Sequence, residues 1–277
     1  MSGLKGRTIV ITGASRGIGR AMALRFAVDG ANIVVAAKTA EPHAYLPGTI
    51  HTVAEEVEKA GGKALPVQVD VRKEDQVQAM VEEAVRAFGG VDALVNNAGA
   101  ISLTSVEATD LKRYDLIQNV NARAVFICSK AALPALRGGV NPHILNLSPP
   151  LALDRKWFAR HAPYTVSKYG MTMLTYGMAE EFRRHRIAVN SLWPRTTIAT
   201  AAIEFAVKDK EMLKVSRKPD IMADAAYEVL VSERLSVTGR ALIDEDFLRE
   251  RGVKDFHHYG MNPDQGGRLQ KDLFVED

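Results

Sequence analysis

The sequence predicts an α/β fold: a single domain built as a three-layer, doubly wound parallel sheet. Three observations predict it. Short runs rich in β-branched residues alternate with longer helical stretches along the whole chain. The runs are nearly continuous in apolar residues, as strands covered on both faces must be. Finally, six or seven such units follow one another with no repeat and no break in composition, which implies right-handed crossovers in one open sheet.

In chain order, strands are expected at residues 8–12 (TIVIT), 32–37 (NIVVAA), 64–71 (ALPVQVDV), 93–98 (ALVNNA), 143–148 (HILNLS) and 187–193 (IAVNSLW), with a last one at RALIDE. Helices are expected at 17–28, 53–60, 74–88, 111–136, 164–184 and 220–231. Gly30 and the Gly61-Gly62 pair mark the ends of the first two, because glycine accepts the left-handed conformation that closes a helix. The core occupies about residues 5–246; a charged, turn-rich extension follows over about 247–277, with MNPDQGG read as loop.

Composition narrows the function classes. The chain has 277 residues, 47% hydrophobic and 25% charged, an ordinary globular mixture. A net charge of +3, spread without long blocks, makes no case for nucleic acid. Cys128, the single cysteine, cannot pair internally, and His257-His258 lack an evident third ligand, so no metal is expected. No apolar run reaches the roughly 18–20 residues that span a bilayer. The N-terminus runs straight into a strand and the C-terminal FVED is no peroxisomal address, so a cytoplasmic setting is expected.

The stretch TGASRGIG, residues 12–19, carries the first chemical signal. A strand ends, glycines permit a tight turn, and a helix N-terminus offers free N–H groups and its positive dipole end; that combination binds a pyrophosphate. Taken alone, the same glycines also allow a plain strand-to-helix turn as the lesser reading. Their spacing, Gly-x-x-x-Gly-x-Gly, resembles the short-chain dehydrogenase/reductase family. Further motifs stand in family order: NNAG (96–99), NVNARAVF with Asn121, ILNLS with Ser148, YTVSK with Tyr164 and Lys168, and TGRALIDE. Within the family, GTIHTVAEEVE, GMAEEF, LSPPLAL and AVNSLWPRT are most similar to the hydroxysteroid dehydrogenase-like protein 2 group. Eukaryotic members of that group carry a following sterol carrier domain, and none is expected within these residues.

The resemblance implies a Rossmann fold and a nicotinamide cofactor. It assigns catalytic positions to Asn121, Ser148, Tyr164 and Lys168. Residues four apart share a helix face, so Lys168 can stand beside Tyr164. A neighbouring ammonium favours a phenolate, which suits Tyr164 to donate a proton in carbonyl reduction and accept one in alcohol oxidation. By resemblance, Ser148 orients the substrate oxygen, Lys168 also holds the nicotinamide ribose, and Asn121 supports a water relay. Read without the family, Ser148 is a turn residue, Asn121 a locally bonded helix residue, and Lys168 a snorkelling one.

The expected cofactor contacts are Gly13, Ser15, Arg16, Gly17, Ile18, Gly19, Lys38, Thr39, Asp70, Val71, Asn97, Ala98, Gly99, Tyr164, Lys168, Pro194, Ile198 and Thr200. NAD-binding sheets place an acid after the second strand; this chain has Lys38 and Thr39 there and Arg16 in the glycine loop. Two cations favour a 2′-phosphate, so NADP(H) is expected over NAD(H). Three features depart from the family pattern. EPHAYLPGT (41–49) looks inserted and could lie over the adenosine end. Sixteen positions separate Ser148 from Tyr164, and the loop between them carries Trp157, Phe158 and His161, to line an apolar substrate pocket or to pack. Arg195 replaces a glycine and could meet a substrate acid, the cofactor phosphates or solvent.

The expected activity is NADP(H)-dependent interconversion of a carbonyl and an alcohol on a small, apolar, fatty or sterol-like substrate. The alternative is a non-catalytic NADP-binding sensor or scaffold. By resemblance, the chain assembles as a homodimer or homotetramer through the helices at 111–136 and 164–184.

Overall fold

The computed structural model describes residues 3–42, 46–201, 203, 210–262 and 269–276. Seven strands form one parallel sheet: β1 (Thr8–Thr12), β2 (Asn32–Ala37), β3 (Lys63–Gln68), β4 (Ala93–Asn96), β5 (His143–Asn146), β6 (Ala188–Trp193) and β7 (Ala241–Ile243), in the order β3-β2-β1-β4-β5-β6-β7. Chain direction across the sheet reverses between β1 and β4, where a crevice must open beyond the carboxyl ends of the strands.

The nearly continuous apolar runs divide cleanly between two cores. Ile9, Ile11, Ile33 and Val35 face one layer, with α1 (Gly17–Ala27) and α2 (Ile50–Lys59). Val10, Val34, Leu94 and Ile144 face the other, with α3 (Glu74–Phe88), α5 (Ala124–Leu136) and α7 (Ala162–Glu181). This alternation is the period-2 rule of a strand applied to a sheet covered on both sides.

Several boundaries differ from expectation for visible reasons. Helix α2 starts at Ile50 rather than 53, because Thr49 accepts from the Thr52 amide while the Thr52 hydroxyl accepts from Thr49, a reciprocal cap. The long helix expected over 111–136 is three pieces: α4 (Leu111–Gln118), a wider π turn (Asn119–Arg123) and α5. Beyond α6 (Lys156–Ala159), α8 (Lys210–Lys214) and α9 (Asp220–Val231), the expected final strand stops at Ile243 and α10 (Asp244–Glu250) begins. The extension is thus helical at its start, and its last part, residues 269–276, returns to the crevice as a strap. Residues 43–45 of the inserted stretch and 263–267 of MNPDQGG lie outside the described residues.

His143 opens β5 fully buried, with both ring nitrogens unpartnered among the described residues. Burial, with Arg7 and Arg234 nearby, pushes it from 6.5 down to about 3. A group depressed in the folded state stabilises fully above its unfolded value, and that contribution is lost as pH falls from about 6.5 toward about 3. His143→Val is therefore expected to lessen acid sensitivity. Thermal melts at about pH 7.5 and about pH 5 should differ by roughly 2 kcal/mol less in the variant than in the parent.

Candidate active site

At the β1–β4 switch the strand ends are locked together. The Asn97 side chain donates to the carbonyls of Thr12 (2.8 Å) and Gly13 (3.1 Å), and the Thr12 hydroxyl accepts from the amides of Asn97 and Ala98, both at 3.1 Å. Gly13 adopts φ +68°, and a Cβ there would come within 2.9 Å of Ala98 Cα. Helix α1 begins at Gly17 without a capping side chain and without an acidic residue in its first turn. Its first amides therefore face the crevice free to meet an anion.

From this cradle a cavity of about 820 Å³ runs to Tyr164 and Lys168. Of the expected cofactor contacts, Gly13, Ser15, Arg16, Gly17, Ile18, Lys38, Thr39, Asp70, Val71, Asn97, Ala98, Gly99, Tyr164, Lys168, Pro194, Ile198 and Thr200 all line it. Gly19 does not. A Cβ on Gly19 would lie 2.5 Å from Asn97 Nδ2 and 2.6 Å from the Gly13 carbonyl oxygen, so this glycine lets α1 pack against the turn.

The four expected catalytic positions come from three places: the π turn, the end of β5, and α7, which carries both Tyr164 and Lys168. Asn121 sits in the π turn, fully buried; its Oδ1 accepts from the Ala100 amide (2.9 Å), and its Nδ2 donates to the Ala100 carbonyl (3.0 Å) and the Ser167 hydroxyl (2.8 Å). It thereby ties the exit of β4 to α7. Lys168 donates to the Leu147 carbonyl at 2.8 Å and stands 5.2 Å from the Trp193 ring. A Cβ at Gly99 would be 3.6 Å from Asn121 Oδ1 and 3.7 Å from Lys168 Nζ, which places Asn121, Gly99 and Lys168 together. Ser148 follows β5, fully buried and bonded to the Thr172 hydroxyl (2.9 Å). Ser148 and Asn121 do not reach the cavity wall.

Electrostatics correct one expectation. Burial pushes the Tyr164 phenol up, and the nearby Asp272 adds to that. The lowering expected from Lys168 is not found; both influences on the phenol raise it. Lys168 itself is pushed down to about 8 by burial, although Asp272 opposes the shift. Asp272, on the strap, is raised by burial to about 7.

Trp157, Phe158 and His161 do not line the cavity; Trp157 and Phe158 pack in a cluster with Tyr164, Tyr169, Trp193 and Phe274. Arg195 is committed to Asp246. The inserted stretch folds back onto the glycine loop, its Pro47 and Gly48 carbonyls each taking a 3.0 Å hydrogen bond from Arg16. Two features escaped sequence reasoning. Arg72 lines the cavity and clasps Asp70 with its guanidinium, holding that carboxyl at about 2; its one signal was a basic residue two positions after Asp70. The other is the strap, whose Gln270, Lys271, Asp272 and Leu273 form part of the wall.

Residues 7–211 match the model of the short chain dehydrogenase family. The chain is 54% identical over 273 residues to hydroxysteroid dehydrogenase-like protein 2 of Danio rerio and 53% identical over 274 to that of Homo sapiens. In each case 99% of this chain aligns, and it spans about 65% and 64% of the relatives' lengths. A solved Mycobacterium thermoresistibile short chain dehydrogenase superposes with a TM-score of 0.93 at 49% identity, covering 99% of this chain and 96% of that one. Among more distant solved structures, a metagenomic short-chain oxidoreductase in complex with NADP (29% identity, TM-score 0.72) covers 87% of this chain and 98% of its own. A Mycobacterium paratuberculosis short chain dehydrogenase bound to NAD (25%, 0.73) covers 87% and 97%.

Proposed function

Because the chain belongs to the short chain dehydrogenase family, we propose that it is an NADP(H)-dependent oxidoreductase interconverting a carbonyl and an alcohol. The observation that carries this reading is the single cavity whose wall holds the glycine cradle and the uncapped start of α1 at one end and Tyr164 with Lys168 at the other. Gly13, Gly17 and the amides of α1, with Asn97 and Ala98 packed against Gly13, would hold the pyrophosphate, while Ile198 and Thr200, after Pro194, would meet the nicotinamide amide. That group, when bound, supplies or accepts the hydride. Tyr164 moves a proton at the substrate oxygen, Ser148 orients that oxygen, and Lys168 holds a positive charge beside the phenol. In its buried setting the phenol is a poor acid to ionise alone, so the Lys168 ammonium matters more than in water. Asn121 acts as a positioning residue through Ala100 and Ser167.

The charge of the adenosine end supports the phosphorylated cofactor. Lys38, with its side chain 63% exposed and 3.8 Å from Asp70, is held loosely enough to turn to a phosphate; Arg16 and Arg72 stand in the same wall. Lys38→Asp is expected to weaken NADPH binding about 10–100-fold, the worth of a charge-assisted bond, and to leave NADH binding equal or tighter. Fluorescence titration with both cofactors checks this. The activity itself is tested on a panel of carbonyls and alcohols, following absorbance of the reduced nicotinamide; no turnover with either cofactor across apolar substrates would refute it. We place the contact between copies, in a homodimer or homotetramer, on α5 and α7, where exposed Phe126 and Met173 border an apolar groove.

A further inference from the structure

The strap at residues 269–276 is bonded into the site. The Thr197 amide donates to the Gln270 carbonyl (2.9 Å), the Gln270 amide to the Val215 carbonyl (2.9 Å), and the Asp272 amide to the Arg195 carbonyl (3.0 Å). The Trp193 indole donates to the Leu273 carbonyl at 2.8 Å. These bonds bring Phe274 into an aromatic cage where it is 1% exposed. Its ring stacks on that of Tyr164 (centroids 6.3 Å apart, 29° between planes) and meets Tyr169 at 5.3 Å, Trp157 at 5.6 Å, His161 at 5.9 Å and Trp193 at 6.0 Å.

Two facts suggest that this phenyl group stands where another molecule belongs. Its backbone lies at φ +67°, a left-handed conformation strained for a bulky side chain, and such strain persists where function requires it. With Phe274 seated on its ring, Tyr164 is only 4% exposed, and Ser148 is fully buried. The cage also holds a loose polar end, since the buried Trp157 indole N–H has no partner among the described residues.

We propose that the cage around Phe274 is the seat of the substrate's apolar group, that it takes a ring-sized apolar carbonyl compound, and that Phe274 competes with substrate for it. The inference rests on the reading of Tyr164 and Ser148 as the reacting pair. The strap's bonds to residues 195–197 join the seat to the segment that would flank the nicotinamide. Ejecting Phe274 would bare the ring of Tyr164 on which it stacks, so that a ring seated there carries its carbonyl oxygen toward the reacting pair. When a competing group fills a site, apparent affinity falls by the fraction of molecules with that site open. Removing the competitor therefore restores affinity.

The test uses the full chain with saturating NADP+, with which a ketone cannot be reduced, and titrates cyclohexanone by calorimetry; turnover is read separately with NADPH. Phe274→Gly is expected to bind cyclohexanone about tenfold more tightly than the parent, and Phe274→Leu, which keeps a smaller apolar occupant, about threefold. A bare cavity would equally accept methylenecyclohexane, so the seat is distinguished by preference. The variant should favour the ketone over that isosteric alkene, and Ser148→Ala in the same background should erase the difference. Equal affinity in parent and both variants, or no preference for the ketone, overturns the proposal. Phe274→Leu keeps the proposal testable if Phe274→Gly melts early. Ketone-selective binding without any turnover would leave the seat standing and refute the oxidoreductase reading; turnover with unaltered affinities would do the reverse.

Discussion

Replacing Tyr164 by phenylalanine is expected to lower turnover by roughly 10²–10⁴-fold, the usual share of a positioned general acid–base group. The change removes one oxygen and leaves the ring, so the stack on Phe274 and the contact with His161 persist. Stability should shift by less than about 1 kcal/mol, since the ring's apolar burial is retained. NADPH affinity, read by fluorescence titration, should stay within about twofold, because the hydroxyl would contribute little beyond the ribose contacts proposed for Lys168. Steady-state kinetics that show unaltered turnover would remove Tyr164 from the mechanism. The same measurement on Lys168→Met would then locate the proton elsewhere.

A second large effect is expected at Gly13. Alanine there must hold φ +68° and place its Cβ 2.9 Å from Ala98 Cα and 3.0 Å from Asn97 Nδ2. The left-handed strain costs about 1–2 kcal/mol, and overpacking against backbone adds about 1–3 kcal/mol. Gly13→Ala should therefore lower the unfolding free energy by about 2–5 kcal/mol, the sum of those two terms. The displaced Asn97 would also spoil the junction of β1 with β4, so NADPH binding should fall by more than about tenfold. Gly90→Ala is the control: nothing lies within 4 Å of its Cβ, and no change is expected. Denaturant melts of the two variants, compared with the parent, decide the matter.

Elements set by local signals were legible. The spans of β1, β2, α3 and α9 agree with the sequence reading residue for residue, because caps, glycines and apolar period all act within a few positions. The wall of the cavity was legible for the same reason: its residues cluster in short motifs at strand ends. The π turn was not. NVNAR contains neither glycine nor proline, so it reads as continuous helix; the distortion accompanies the pull of Asn121 toward Ala100 and Ser167, 21 and 46 positions away. The strap was illegible for a stronger reason. Leu273, Phe274 and Val275 are a brief apolar patch in a charged tail, and Trp193, which donates to the Leu273 carbonyl, is 80 positions distant. Trp157 and Phe158 were correctly noticed as apolar, but with Phe274 seated they serve packing in a cluster whose centre lies beyond any local pattern.

Arg16 is ordered by the fold itself. Its guanidinium is tethered before any phosphate arrives, through 3.0 Å bonds to the Pro47 and Gly48 carbonyls. An arginine ordinarily surrenders up to about 2 kcal/mol of rotamer freedom when it is fixed. Here much of that loss belongs to folding, so capturing a phosphate would exchange two neutral acceptors for an anionic one with little further ordering. Pro47 and Gly48 thus set how stiff a claw the cofactor meets, although neither lies in the wall of the cavity.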